Sequence, residues 1–181
     1  MCAELYNHAP LRQELINALV TSMNNDETKR GLSTKLLEQV HDLCRGIHGS
    51  RNTNVDLAIA LARNGMLDDL RSLYKKNHIP SGLLIKSLKH LPEETKAPIL
   101  MAILDVTTDE LGLDRISFYE CILSLCNRSG DCERAIETRR KLLADVNVTE
   151  SEAFTKQFFN LLEKHKVPLP EDFVEKREKN S

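Results

Sequence analysis

Apolar residues along this chain recur at steps of three and four, and short polar clusters break the pattern. Leu11, Leu15, Ile16 and Leu19 follow Pro10, a residue tolerated in the first turn of a helix, and Met23-Asn24-Asn25-Asp26 ends that run. Ser33 reads as the N-cap of a second helix carrying Leu36, Leu37, Val40, Leu43 and Cys44, with Gly46 and Gly49 as stop signals. Gly49-Ser50-Arg51-Asn52 is the most polar connection. Beyond it, Asn54 reads as the cap of a helix to Arg63, Asn64-Gly65 as a turn, and Leu67, Leu70, Leu73 and Tyr74 as the returning helix. His78-Ile79-Pro80-Ser81-Gly82 closes that hairpin. Residues 83–91 and 92–104 form the next pair, with Pro92 at a helix start. A loop over 107–113 leads to helices over 116–128, 132–144 and 151–165, and a short segment follows Pro170. No stretch alternates with period two. The pattern predicts an all-α fold of about ten helices in five antiparallel hairpins, joined by the short connections that bundles prefer.

The stretch Ile116 to Glu150 is one such hairpin with its onward connection, broken at Ser129-Gly130-Asp131. A lone hairpin cannot bury its apolar face, so hairpins at this period imply stacking into an α-solenoid. Gly65 and Gly130 occupy the same place in their hairpins and lie 65 residues apart. Two units of roughly 33 to 35 residues fit that separation, whereas HEAT-like units of about 40 to 47 do not. The expected layout is a divergent helical pair over 1–50, hairpins over 51–165 and a charged tail over 166–181.

Composition narrows the chemistry. The 181 residues are 41% hydrophobic and 29% charged, with no Trp and only 4% aromatic residues, which favours Leu-based helix packing over sheets. A net charge of −2 supplies no global basic field, so strong autonomous binding to RNA is disfavoured and no DNA partner is expected, although a local basic strip stays open. Five cysteines make no even disulfide framework, which points to a reducing compartment. No apolar run approaches the roughly 18 residues of a membrane span, so no membrane partner is expected. The first residues mix acids and bases and do not read as an Arg-rich presequence, which suggests a cytoplasmic chain or one that has lost its targeting segment. Cys121, Cys126 and Cys132 lack CxxC spacing, no HExxH occurs, and no nucleophile is paired with a base. No metal, no cofactor and no catalysis are expected.

The run FYECILSLCNRSGDCERAIETRRKLL resembles a pentatricopeptide repeat, and Leu125-Cys126, Gly130 and Ala135 carry the resemblance. The unit from Asn52 to Ser81 matches less closely, with Gly65 and Pro80 in place and Leu70 where the alanine would be. The unit from Gly82 has no glycine turn, and Ser151 onward looks like the first helix of a further unit. The irregular, Leu-rich character is similar to animal mitochondrial members of that family. The resemblance implies an α-solenoid that binds single-stranded RNA and acts in mitochondrial RNA stability or translation. By position it implies RNA contacts at Glu120, Lys156, Asp56 and Lys86, early in the first helix of each unit, one splayed base per repeat. Two of these four are acidic, which repels phosphate unless the carboxylate accepts a hydrogen bond from a base. Lys75-Lys76, Arg139-Arg140-Lys141, Lys86, Lys89 and His90 offer a basic strip, though bases at helix ends also compensate the dipole. Phe154, Phe158 and Phe159 read either as stacking surfaces or, by their spacing, as a buried stripe. The rival reading is a helical-repeat adaptor whose ligand is another protein, and a third is a capping and oligomerisation region.

Overall fold

The computed structural model describes residues 12–108 and 113–169. Among them are nine α-helices, one 3-10 turn and no strand: α1 (Arg12–Asn25), α2 (Glu27–His48), α3 (Ser50–Arg63), α4 (Leu67–Lys76), α5 (Ser81–Ser87) running into the 3-10 turn Leu88–His90, α6 (Glu93–Val106), α7 (Arg115–Ser129), α8 (Cys132–Ala144) and α9 (Glu152–Lys164). The all-α expectation holds. The segments after Pro170 and around Pro10 lie outside the described residues.

Two compact units divide the chain, Met1–Asp114 and Arg115–Ser181, with their boundary inside the stretch 51–165. In the first unit α3 is the centre. It packs against α1, α2, α4, α5 and α6, and α4 packs against α6. Val55, Ala58, Ile59, Ala60 and Leu61 on α3 are buried, as are Ile16 and Val20 on α1 and Ile99, Leu100, Ile103 and Leu104 on α6. In the second unit α7, α8 and α9 pack on one another around Phe118, Ile122, Leu123, Ala135, Leu142, Phe154, Phe158 and Leu162.

Two local expectations about helix caps fail. The second helix starts at Glu27, because the Asp26 carboxylate accepts from the N–H groups of Thr28 (3.0 Å) and Lys29 (3.3 Å) and caps the helix seven residues before Ser33. Ser33 is buried inside that helix, with its hydroxyl 2.9 Å from the Ser22 hydroxyl. Asn54 is no cap either. It lies within α3, where its carbonyl oxygen is 3.0 Å from His41 Nε2 and its amide donates to Asn77 Oδ1 at 2.9 Å.

The hairpin turns share one hydrogen-bond signature. Met66 N–H donates to Leu61 C=O (3.0 Å) and Leu67 N–H to Gly65 C=O (2.9 Å). At positions 65 residues further on, Asp131 N–H donates to Cys126 C=O (3.1 Å) and Cys132 N–H to Gly130 C=O (3.0 Å). The first of these bonds recurs after α9, from Val167 N–H to Leu162 C=O (2.9 Å), 36 residues beyond the second turn. The residue that makes each bend has positive φ: Gly65 at 68°, Gly130 at 72° and Lys166 at 54°. A Cβ added at Gly65 would meet open space, whereas one at Gly130 would sit 2.8 Å from His165 Cε1, so the turn of α7/α8 abuts the end of α9. The left-handed conformation costs a side chain about 1 kcal/mol. Gly65→Ala is expected to lose about that much, Gly130→Ala somewhat more because its Cβ must displace the His165 ring, and Lys166→Gly to gain about 1 kcal/mol, read as shifts in the urea midpoint at constant slope.

Candidate functional site

The four residues aligned with RNA contacts meet different fates. Asp56 is buried on α3, where its carboxylate accepts from Arg12 Nε at the start of α1. Burial pushes its pKa up, and the Arg12 partner only partly offsets that. Glu120 on α7 is half-buried and accepts from the Ser151 hydroxyl at 2.7 Å. Ser151 in turn accepts from Phe154 N–H at 3.0 Å as the N-cap of α9, so Glu120 ties α7 to the start of α9. Lys86 on α5 and Lys156 on α9 are exposed. Among the described residues no hydrogen bond or ion pair joins any two of the four.

The basic strip divides similarly. Arg139 is buried: its Nε and Nη2 donate to the two Glu150 oxygens at 2.7 and 3.3 Å, and its guanidinium lies 5.4 Å from the Phe158 ring centre. It is therefore part of the packing of the second unit, not of its surface. Arg140 stays exposed, bonded to Glu137 one turn back. Phe154 and Phe158 are fully buried with centroids 6.4 Å apart, as the stripe reading expects, while Phe159 is half-buried.

The end of α4 forms the more open feature. A polar cavity of about 260 Å³ is lined by Tyr74, Lys75, Lys76, Asn77, His78, Ile79 and Leu113. Lys75, Lys76 and His78 are exposed, so three potential cations surround one concavity. The backbone beneath them is held by a relay of amides. Asn77 donates to Leu73 C=O (3.0 Å), accepts from Asn54 on α3, and Asn54 meets His41 on α2. Tyr74 is buried beside the cavity, and its hydroxyl has no partner among the described residues. Burial pushes that phenol up, so it stays a neutral donor. Sequence reasoning marked Lys75-Lys76 and the His78 turn separately. Only the fold turns them into the wall of one cavity, and the amide relay from Asn54 had no signal along the chain.

Other chemistry is sparse. Cys126 is buried and its thiol is pushed up to about 11, first by burial and then by Asp131, which disfavours the reactive thiolate. Among the described residues no group of three His, Cys, Asp or Glu side chains is placed to hold a metal ion. No described helix is long and apolar enough to cross a membrane. A comparison with family models, curated proteins and solved structures gives no match.

Proposed function

We propose that this chain is a helical-repeat RNA-binding segment, an α-solenoid of pentatricopeptide type that engages single-stranded RNA and acts in mitochondrial RNA stability or translation. The observation that carries the reading is the recurrence of one turn hydrogen bond, with a positive-φ residue, at Gly65, Gly130 and Lys166. Separations of 65 and 36 residues suit units near 33 to 36 residues, the length expected of helical hairpins that stack along an axis. The cavity bearing Lys75, Lys76 and His78 supplies a place for backbone phosphate, and Lys86 and Lys156 stand ready as exposed cations. Asp56 and Glu120 act in this reading as positioning residues, since each is committed to a protein partner.

Fluorescence polarisation with a pool of single-stranded RNA tests the proposal. Binding near micromolar affinity, weakening steeply between about 50 and 200 mM salt, is the expected result. Lys75→Gln with Lys76→Gln should reduce the slope of log affinity against log salt by about 1.4, since each lost contact to a single strand contributes about 0.7. If the two lysines only compensate the α4 dipole, the slope will not move. No binding at the lower salt overturns the RNA reading and leaves the adaptor. That second reading draws on a specific observation, the exposed leucines of α2, and its ligand would be another protein.

A further inference from the structure

Helix α2 carries two apolar stripes, and only one of them is used inside its own unit. Ser33, Leu37 and Cys44 are buried where α2 packs against α1 and α3. On another face, Leu32, Leu36 and Leu43 are 63%, 40% and 44% exposed. These three belong to a longer series, Leu32, Leu36, Gln39, Leu43 and Gly46, whose steps alternate four, three, four, three. That alternation is the seam of a two-stranded coiled coil, and it extends over most of a 22-residue helix. Leucines at seam positions that face solvent are costly unless something covers them.

Flanking charge says what covers them. Lys35 and Asp42 both precede a seam leucine and so fall at equivalent flanking positions, one heptad apart and opposite in sign. Align a second copy of α2 antiparallel, about a two-fold axis near residues 37 and 38. Leu32 then faces Leu43 of the second copy, Leu36 faces its Gln39, and Lys35 falls beside its Asp42, with every contact made twice. A parallel pair would instead set Lys35 near Val40 and Asp42 near Ile47, where no charge answers. Among the described residues Asp42 has only a loose, exposed contact to Arg45 at 3.7 Å, which does not compete strongly for it. Gln39 at the centre of the seam favours one register over its neighbours, the role polar seam residues take in coiled coils.

We propose that α2 is a self-association surface, through which two copies of this chain pair as an antiparallel coiled coil of α2 with α2. The pairing is independent of RNA binding and uses leucines that the first unit leaves substantially exposed. Sedimentation velocity of the full chain should show the mass of one chain at low micromolar concentration and approach twice that mass as concentration rises. Leu36→Glu should hold the chain at single mass, with helicity by circular dichroism unchanged because the position is exposed. The decisive set is Lys35→Asp, Asp42→Lys and the two combined. Each single variant places like charges opposite each other and should stay at single mass. The combined variant restores opposite charges and should dimerise like the parent. A parent chain that remains at single mass throughout overturns the proposal and leaves the stripe to a different protein. A combined variant no better than the single ones overturns the antiparallel register.

Discussion

Asp145→Ala is expected to lower the stability of the second unit by about 3–5 kcal/mol, the range for removing one partner of a buried ion pair. The Arg115 and Asp145 side chains are only 3% and 5% exposed, and Arg115 Nε donates to Asp145 Oδ2 at 2.7 Å. The same oxygen accepts from the Tyr119 hydroxyl at 3.1 Å, and Oδ1 accepts from Asn147 N–H at 3.1 Å. One carboxylate thus fastens the start of α7 to the chain leaving α8. Its loss strands a buried guanidinium without its carboxylate, and that residual charge, more than the lost attraction, sets the cost. Arg115→Met with Asp145→Leu removes both charges and should recover most of the deficit. Acid reports on the same group. Burial pushes the Asp145 carboxyl up, but the hydrogen bonds from Arg115 and Asn147 outweigh that and hold it below 3.8. Its contribution is therefore complete above about pH 5, where the unfolded carboxyl is also ionised, and disappears as pH falls through the depressed value. Urea titrations of the parent and both variants, at neutral pH and near pH 3, read these effects as midpoint shifts. A single-variant loss below about 1 kcal/mol at neutral pH would show that the guanidinium finds water instead.

How far the sequence announces this depends on the range of the interaction responsible. The hairpins from Gly49 onward are visible because their signals are local: a glycine that can take positive φ at 65 and 130, acids at the start of α4, bases at its end. The Asp26 cap was equally local, yet Ser33, nearer the strongest apolar run, competed with it. What decides the matter is the Ser22–Ser33 contact across two helices, and no spacing rule contains it. The functional candidates illustrate the same limit more sharply. An acid early in a helix looks alike whether it faces a groove or meets Arg12, 44 residues upstream, as Asp56 does. Arg139 sits in a run of three bases that reads as surface, but Glu150 and Phe158 draw it inside. The exposed stripe of α2 was written in the sequence at heptad spacing. Nothing along the chain separates it from the buried Leu37 and Cys44, since periodicity reports that a face is apolar without saying what will cover it.

Phe158→Ala is the second substitution expected to cost about 3–5 kcal/mol, the usual range for deleting a fully buried aromatic ring. Phe158 has no exposed surface and lies on α9, between Phe154 of the same helix and Arg139 of α8. Three effects combine there. The ring removes apolar area from water, it stacks on Phe154 at 6.4 Å with an interplanar angle of 12°, and its face receives the Arg139 guanidinium at 5.4 Å. Alanine forfeits all three and leaves a void beneath Arg139, whose ion pair with Glu150 then loses its floor. Phe158→Leu separates the effects, since it keeps much of the volume while discarding the stack and the cation contact. Its expected cost is about 1.5 kcal/mol, most of it from the two ring interactions. Should leucine prove as damaging as alanine, ring geometry rather than filled volume would hold α9 in place. A leucine variant as stable as the parent would mean that Arg139 draws its stability from Glu150 alone. Repeating the pair in an Arg139→Met background isolates the guanidinium: the coupling between positions 139 and 158 should amount to about 0.5–1 kcal/mol if the cation contact operates as the geometry indicates.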